Sequence, residues 1–103
     1  MDIMREDEEA DMILRGVDFD LLDALDDHGR NVAPNLAIHV DQSRSYVNQR
    51  LAVLLDYGLV ERVGPEENTG LYEISARGTA ALELREEYRR GPGWERDVDE
   101  LAE

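Results

Sequence analysis

Near the start of the chain, apolar residues repeat at helical spacing, which predicts a helix over residues 18–28. One face of this helix is formed by leucines: Leu21, Leu22 and Leu25. Asp18 is a suitable N-cap, and Gly29 suits the left-handed conformation that ends many helices. The outer face carries Asp20, Asp23, Asp26 and Asp27. We expect this acidic face to be solvated, because it lacks the turn glycine and alternating ligands of a calcium loop.

Two more helices are predicted next. The first is short, tolerates Pro34 in its first turn and ends at residues 41–42. Its inward residues are Leu36, Ala37 and Val40. Ser43 is then the natural N-cap of a helix over residues 44–57, which Gly58 closes. The buried stripe of that helix comprises Val47, Leu51, Leu54 and Leu55.

The pattern then changes from helical to extended. Residues 59–63 and 71–74 predict two strands, and residues 64–70 predict the hairpin loop between them. Ser75 caps a last helix that is expected to run to about residue 90. The sequence Gly-Pro-Gly at residues 91–93 breaks it.

The end of the chain has one helical face of its own. This face consists of Trp94, Val98 and Leu101. It can fold back on the body of the protein or meet a second copy, and the sequence leaves both alternatives open.

These elements together predict a mainly α protein with a small β hairpin, in the order typical of a winged helix-turn-helix. We divide the chain into an acidic, partly mobile N-terminal segment (1–16), a winged helix-turn-helix DNA-binding domain (17–90) and an acidic C-terminal tail (91–103). Within the first segment, residues 12–14 are apolar and are expected to dock on the body.

The charge of the chain is unevenly distributed. The sequence has 25 acidic and 11 basic residues, a net charge of −14, and every basic residue is an arginine. Residues 28–62 carry three acids and four arginines, whereas the segments before and after them are all net negative. The only segment that does not repel DNA phosphates is therefore the one that contains the predicted helix 44–57.

An acidic sequence without lysine resembles those of proteins that work in near-saturated salt. At such salt the Debye length is on the order of 3 Å or less, so only charges in contact matter. The net negative charge then does not exclude DNA binding. The alternative is an ordinary acidic protein.

The exposed face of helix 44–57 is predicted to contact DNA. In a helix-turn-helix, the N-terminal residues of the second helix reach base edges in the major groove. Arg44 can donate to guanine O6 and N7, and Asn48 and Gln49 can pair with adenine. Hydroxyls suited to phosphate oxygens belong to Ser43, Ser45 and Tyr46.

Further DNA contacts are predicted outside that face. Arg50 and Arg30 are expected to contact phosphates rather than bases. On the hairpin, the predicted wing, the candidates are Arg62, Asn68 and Thr69. The wing tip also carries Glu66 and Glu67, which are unfavourable next to phosphates.

Other chemistries have little support in the sequence. There is no cysteine, and His28 and His39 have no neighbouring ligand constellation, so we expect no metal site. Ser43 and Ser75 lack a base at a recognisable spacing, and no glycine-rich phosphate loop is present. We therefore expect no enzymatic activity, no cofactor and no small-molecule ligand.

The sequence also bears on location. No run approaches the roughly 18 apolar residues of a membrane span, and the N-terminus is acidic where a secretory signal is basic and then apolar. We therefore expect a soluble cytoplasmic protein with no membrane partner.

Two segments carry a family resemblance. Residues 44–63 contain the motif leucine, two residues, leucine, two residues, Tyr-Gly-Leu-Val, and residues 70–78 read Gly-Leu-Tyr-Glu-Ile-Ser-Ala-Arg-Gly. Over residues 17–88 the chain resembles the halophage-repressor-like winged-helix regulators of halophilic archaea. The resemblance implies a transcriptional repressor or regulator, usually dimeric. Gln42, in a turn position that is often apolar, and the acidic wing tip depart from the family pattern.

The sequence thus predicts a sequence-specific, double-stranded DNA-binding regulator, a homodimer through its last helix and tail. The alternative is a winged helix used for protein contact in the transcription machinery, with its acidic faces docking a basic partner and no direct base readout.

Overall fold

The computed structural model describes residues 12–64 and 70–103, which form five α-helices and three short strands. The helices are α1 (Gly16–His28), α2 (Ala33–Val40), α3 (Arg44–Asp56), α4 (Ala76–Glu83) and α5 (Pro92–Ala102). The strands are β1 (Asn31–Val32), β2 (Val60–Val63) and β3 (Leu71–Ile74). A single 3₁₀ turn, Arg85–Glu87, follows α4. The prediction of a mainly helical protein with a small sheet is confirmed.

The sheet is antiparallel, with strand order β1-β3-β2. The predicted hairpin is present: Val60 lies opposite Ile74, and Val63 lies opposite Leu71. The sequence did not predict β1, because two residues are too few to show the alternation of a strand. By pairing with the other edge of β3, β1 ties the link between α1 and α2 to the hairpin.

The core lies between the helices and the inner face of the sheet. Its completely or almost completely buried members in α1, α2, α3 and β2 include Leu21, Leu22, Leu25, Leu36, Val47, Leu51, Leu54 and Val60. The predicted inward stripes of the first three helices are therefore confirmed, except that Val40 and Leu55 are only half-buried. Burial of these stripes is the main force that fixes the helices against one another.

The first helix begins earlier than predicted. Arg15 is its N-cap, and Asp18 lies inside the first turn, fully buried. The Asp18 carboxylate accepts a hydrogen bond from the Arg15 backbone N–H at 2.8 Å, as the N3 residue of a capping box does. The prediction that Asp18 is the N-cap is therefore wrong.

The predicted single helix from Ser75 to about residue 90 is also wrong. Its start is confirmed, because Ser75 Oγ accepts from the Gly78 N–H at 3.0 Å. The helix ends at Glu83, where tertiary contacts replace the helical pattern. The Leu84 carbonyl accepts from the Glu87 N–H, in a 3₁₀ turn, and from the Trp94 indole N–H at 3.0 Å.

The C-terminal tail packs against the body of the same chain as helix α5. Trp94 is 1% exposed and Val98 is fully buried, whereas Leu101 remains 48% exposed. The Trp94 ring meets Phe19 and Tyr88 edge-on, with centroids 6.4 and 4.9 Å away. Of the two alternatives for the tail, the structure shows body contact for Trp94 and Val98.

Residues 12–14 also join the core, as the sequence predicted for docking. Met12 and Leu14 are buried, and Ile13 is exposed. The three backbone N–H groups donate in turn to Glu95 Oε2, the Tyr57 hydroxyl and the Tyr88 hydroxyl. The predicted mobility of the acidic segment concerns residues 1–11, which lie outside the described part. No described helix has the length and apolar content needed to span a bilayer.

A close backbone approach makes Gly78 difficult to replace. A Cβ at this position would lie 2.0 Å from the Leu59 carbonyl oxygen and 2.8 Å from Ile74 Cγ1. Since backbone has to move, Gly78→Ala is expected to lower the free energy of unfolding by about 2–3 kcal/mol in a denaturant titration. Gly16→Ala is the control, because a Cβ there meets nothing within 4 Å. Equal stability of the two variants would show that the contact is not tight.

Candidate nucleic-acid interface

Helix α3 is positioned by the turn that precedes it. Asp41 adopts the left-handed conformation, with φ of 58°, and ends α2. The Gln42 N–H donates to the Ala37 carbonyl at 3.0 Å, and Ser43 Oγ accepts from the Tyr46 N–H at 3.1 Å. Ser43 is thus the N-cap that the sequence predicted.

The outer face of α3 is open to solvent. Ser45, Asn48 and Gln49 are exposed, as predicted, while Tyr46 is half-buried. Arg44 is also exposed, and its side chain forms no hydrogen bond or ion pair with another residue in the described part of the chain. Residues 42–55 contain no aspartate or glutamate, which is unusual in a chain with a net charge of −14. Up to residue 55 the face therefore offers donors and acceptors without an acidic neighbour, and the exposed Asp56 lies at the far end of the helix.

Arg50 belongs to a buried ion pair and not to this face. Its Nε and Nη2 donate to the two carboxylate oxygens of Asp18 at 2.8 and 2.7 Å. The Arg50 side chain is 12% exposed and that of Asp18 is fully buried. The hydrogen bond to Asp18 raises the pKa of Arg50 above its ordinary value, although burial opposes this. Arg50 therefore remains charged, and the predicted phosphate contact is wrong because its donors point inward.

The other predicted contacts are placed as follows. Arg30 Nε donates to Glu73 Oε1 at 3.0 Å in an exposed ion pair, which solvent screening keeps weak. Arg62 lies over the Tyr72 ring, 5.9 Å from its centroid. Asn68 and Thr69 lie outside the described residues, and with them the tip of the hairpin.

A recess runs beside the outer face of α3. It has a volume of about 310 Å³. Its lining comes from β1, the first turn of α2, α3 and β3: Val32, Ala33, Pro34, Arg44, Asn48, Gly70 and Tyr72. We call it the α3 recess. None of its lining residues is acidic, and it brings two of the three predicted base-contacting residues, Arg44 and Asn48, next to apolar side chains.

Sequence reasoning missed Val32, Pro34 and Tyr72 as part of this surface. Pro34 had been explained by its position in a helix, and Tyr72 by its position in a strand. What brings these residues together is the pairing of β1 with β3, which sets Val32 opposite Leu71 and Asn31 opposite Tyr72. That pairing depends on residues about forty positions apart and leaves no local pattern.

A second recess, of about 370 Å³, has the opposite character. It lies where α1 meets the end of α2, and its charged lining consists of Asp20, Asp23, Asp27 and Asp41. His28 and His39 stack beside it, with ring centroids 4.3 Å apart. We call it the acidic recess. Within residues 12–64 and 70–103, no group of three or more His, Asp or Glu side chains is arranged to hold a metal ion.

No family model, curated protein or solved structure matches the chain. The geometry and charge of these surfaces are therefore the features that bear on function.

Proposed function

We propose that this protein is a winged helix-turn-helix regulator of transcription, a repressor that binds double-stranded DNA with the outer face of α3. Helices α2 and α3 with their tight turn correspond to the helix-turn-helix, and the β2–β3 hairpin corresponds to the wing. The observation that carries the proposal is the exposed outer face of α3 over residues 44–55, which has no acidic residue although the chain as a whole is acidic.

The shape and chemistry of this face suit the major groove. A helix about 10–12 Å wide fits the groove, where each base pair shows a distinct set of donors, acceptors and methyl groups. In this proposal Arg44 contacts guanine, and Asn48 and Gln49 contact adenine. Ser43, Ser45 and Tyr46 contact phosphates near the helix N-terminus, whose backbone N–H groups favour negative charge.

The acidic remainder of the surface sets the conditions under which binding is expected. In dilute buffer the carboxylates of α1 and α5 repel DNA as a whole. In molar potassium chloride the screening length falls to about 3 Å, and contacts within the groove then outweigh that repulsion. The lysine-free composition supports such a working environment in a halophilic archaeon.

Substitution of the face tests the proposal. In molar potassium chloride, with a duplex selected from a random pool, Arg44→Ala and Asn48→Ala are each expected to cost about 1–3 kcal/mol of binding and to relax base preference at one position. Fluorescence anisotropy and repeated selection measure the two effects. Arg96→Ala, which removes an exposed arginine from α5, is the control and should bind as the wild type does.

The same experiment has a clear negative outcome. If no sequence is enriched from the pool, or if Arg44→Ala and Arg96→Ala bind alike, α3 is not the DNA-contacting helix.

We also propose that the protein binds DNA as a homodimer, because one small module buries little surface. Trp94 and Val98 are used within the chain, so the available apolar surface of α5 is the exposed Leu101 beside the half-buried Leu84. A footprint over two half-sites about 34–36 Å apart is expected. Protection of a single half-site would contradict the dimer and leave the DNA contact in place.

One observation favours a second function. The acidic recess, with its four aspartates, is suited to a basic segment of another protein. A winged helix used only for such contacts would show no sequence preference in the selection. It would also lose its partner as potassium chloride is raised, whereas the DNA contact is expected to persist.

A further inference from the structure

The α3 recess combines polar and apolar groups in a way that the proposed contacts of Arg44 and Asn48 do not use. Its lining includes two polar residues, Arg44 and Asn48. The same recess is lined by an apolar wall that includes Val32, which is half-buried, and Pro34, which is exposed. A contact made only of hydrogen bonds leaves this apolar wall in water.

The wall is held in place by the local structure. Asn31 Oδ1 accepts from the Val32 N–H at 2.9 Å and from Asn35 Nδ2 at 3.0 Å. The pairing of β1 with β3 then fixes Val32 beside the hairpin. The position of the wall relative to α3 is therefore set before any ligand arrives, and a preformed surface binds at a lower entropic cost.

Apolar surface continues along the same side of α2. Ile38 follows Pro34 by four residues, which places the two on one side of the helix. Its side chain is 79% exposed, more than that of either other exposed large hydrophobic residue in the described part of the chain. The strip formed by Pro34 and Ile38 thus leads away from the recess, where Pro34 lies with Arg44.

Only one group on the base edges of the major groove matches such a wall. Donors and acceptors line the groove, and the thymine 5-methyl is its apolar feature. We propose that the α3 recess takes the 5-methyl group of a thymine next to the base pair contacted by Arg44 or Asn48, and that Val32 and Pro34 are specificity-determining residues. This inference rests on the proposed function. It adds that the recess selects for thymine at one position of the DNA site.

Replacement of thymine by deoxyuridine tests the inference directly, since it removes the methyl group and leaves every hydrogen-bonding atom in place. Each thymine of the selected duplex is replaced in turn, and Kd is measured in molar potassium chloride. At one thymine in each half-site we expect Kd to rise about fourfold, because the contact loses the burial of one methyl group. At the other thymines we expect no change.

The protein side of the contact is tested with Pro34→Ser, which puts a hydroxyl where the ring stood. This variant is expected to bind the thymine and deoxyuridine duplexes equally. Val32→Thr, which keeps the side-chain shape and replaces one methyl by a hydroxyl, should show the same loss of discrimination. Pro92→Ser is the matched control, since Pro92 lies in the first turn of α5, and it should retain the fourfold difference.

The outcomes separate this inference from the proposed function. If a sequence is enriched but no deoxyuridine position matters, the methyl contact is absent and DNA recognition stands. If one position matters and both recess variants still discriminate, the methyl group binds elsewhere. If no sequence is enriched, the proposed function fails and the inference fails with it.

Discussion

Asp18→Asn is expected to lower the free energy of unfolding by about 3–5 kcal/mol, because it leaves the buried Arg50 guanidinium without its counter-charge. The side chain of Asp18 is fully buried, and both of its oxygens accept from Arg50. One of them also accepts from the Arg15 backbone N–H. Since a small domain has about 5–15 kcal/mol of stability in all, the loss is large. Urea titration in molar potassium chloride measures it.

The matched control is Asp20→Asn, which makes the same chemical change on an exposed position of the same helix. It should alter stability by less than about 0.5 kcal/mol. The double variant Asp18→Asn with Arg50→Met should recover much of the loss, because removal of both charges leaves none unpaired. If Asp18→Asn is no worse than Asp20→Asn, the ion pair does not hold α1 against α3.

This ion pair also bears on the proposed DNA contact. It joins the first turn of α1 to the middle of α3, so it fixes the orientation of the helix whose outer face carries Asn48 and Gln49. In the Asp18→Asn variant we therefore attribute any weaker DNA binding to a displaced α3 and not to a lost phosphate contact.

Trp94→Ala is the second large effect, with an expected loss of about 3–5 kcal/mol. Trp94 is 1% exposed, packs edge-on against Phe19 and Tyr88, and donates its indole N–H to the Leu84 carbonyl. The substitution leaves a cavity between α1 and α5 and removes one of the two hydrogen bonds that the Leu84 carbonyl accepts. Tryptophan fluorescence is lost in this variant, so unfolding is followed by far-UV circular dichroism.

Leu101→Ala serves as the control on the same helix. Leu101 is half exposed, and its truncation should cost less than about 1 kcal/mol. If Trp94→Ala were as mild as Leu101→Ala, the tail would not be an integral part of the core.

The α3 recess and the acidic recess differ in charge. Beside α3 lies a recess without acidic residues, and at the junction of α1 with α2 lies one with four aspartates. The first is the recess that we propose to contact DNA, and the second is the one suited to a basic partner. The two candidate functions then describe different surfaces, and the salt dependence of each is a separate measurement.

Helix α3 shows how much of the candidate site the sequence alone specified. Its N-cap, its buried stripe and its exposed polar residues all follow from spacings of three or four positions within one segment. The hairpin strands followed in the same way from their extended pattern and the turn residues between them. The segment free of acids could also be found by counting charges along the chain.

The predictions that are wrong concern contacts between residues that lie far apart in the sequence. Asp18 and Arg50 are separated by 32 positions, so no local pattern in the sequence indicated that they would pair. Because of this pair, Asp18 is not the N-cap and Arg50 does not lie on the outer face of α3. The last predicted helix ended early, where Leu84 meets the Trp94 side chain. Strand β1 exists because a neighbouring strand completes it, not because its two residues favour that conformation.

Local sequence therefore determined which segments are helical, which face of α3 is polar and where negative charge is absent, because backbone propensity, capping and side-chain periodicity act over a few residues. The tertiary structure decided that Arg50 turns inward, that the tail completes the core and that Val32 and Pro34 stand beside Arg44. Those outcomes depend on burial and on ion pairing between segments that are distant in the sequence. These interactions contribute free energy only when folding brings the segments together.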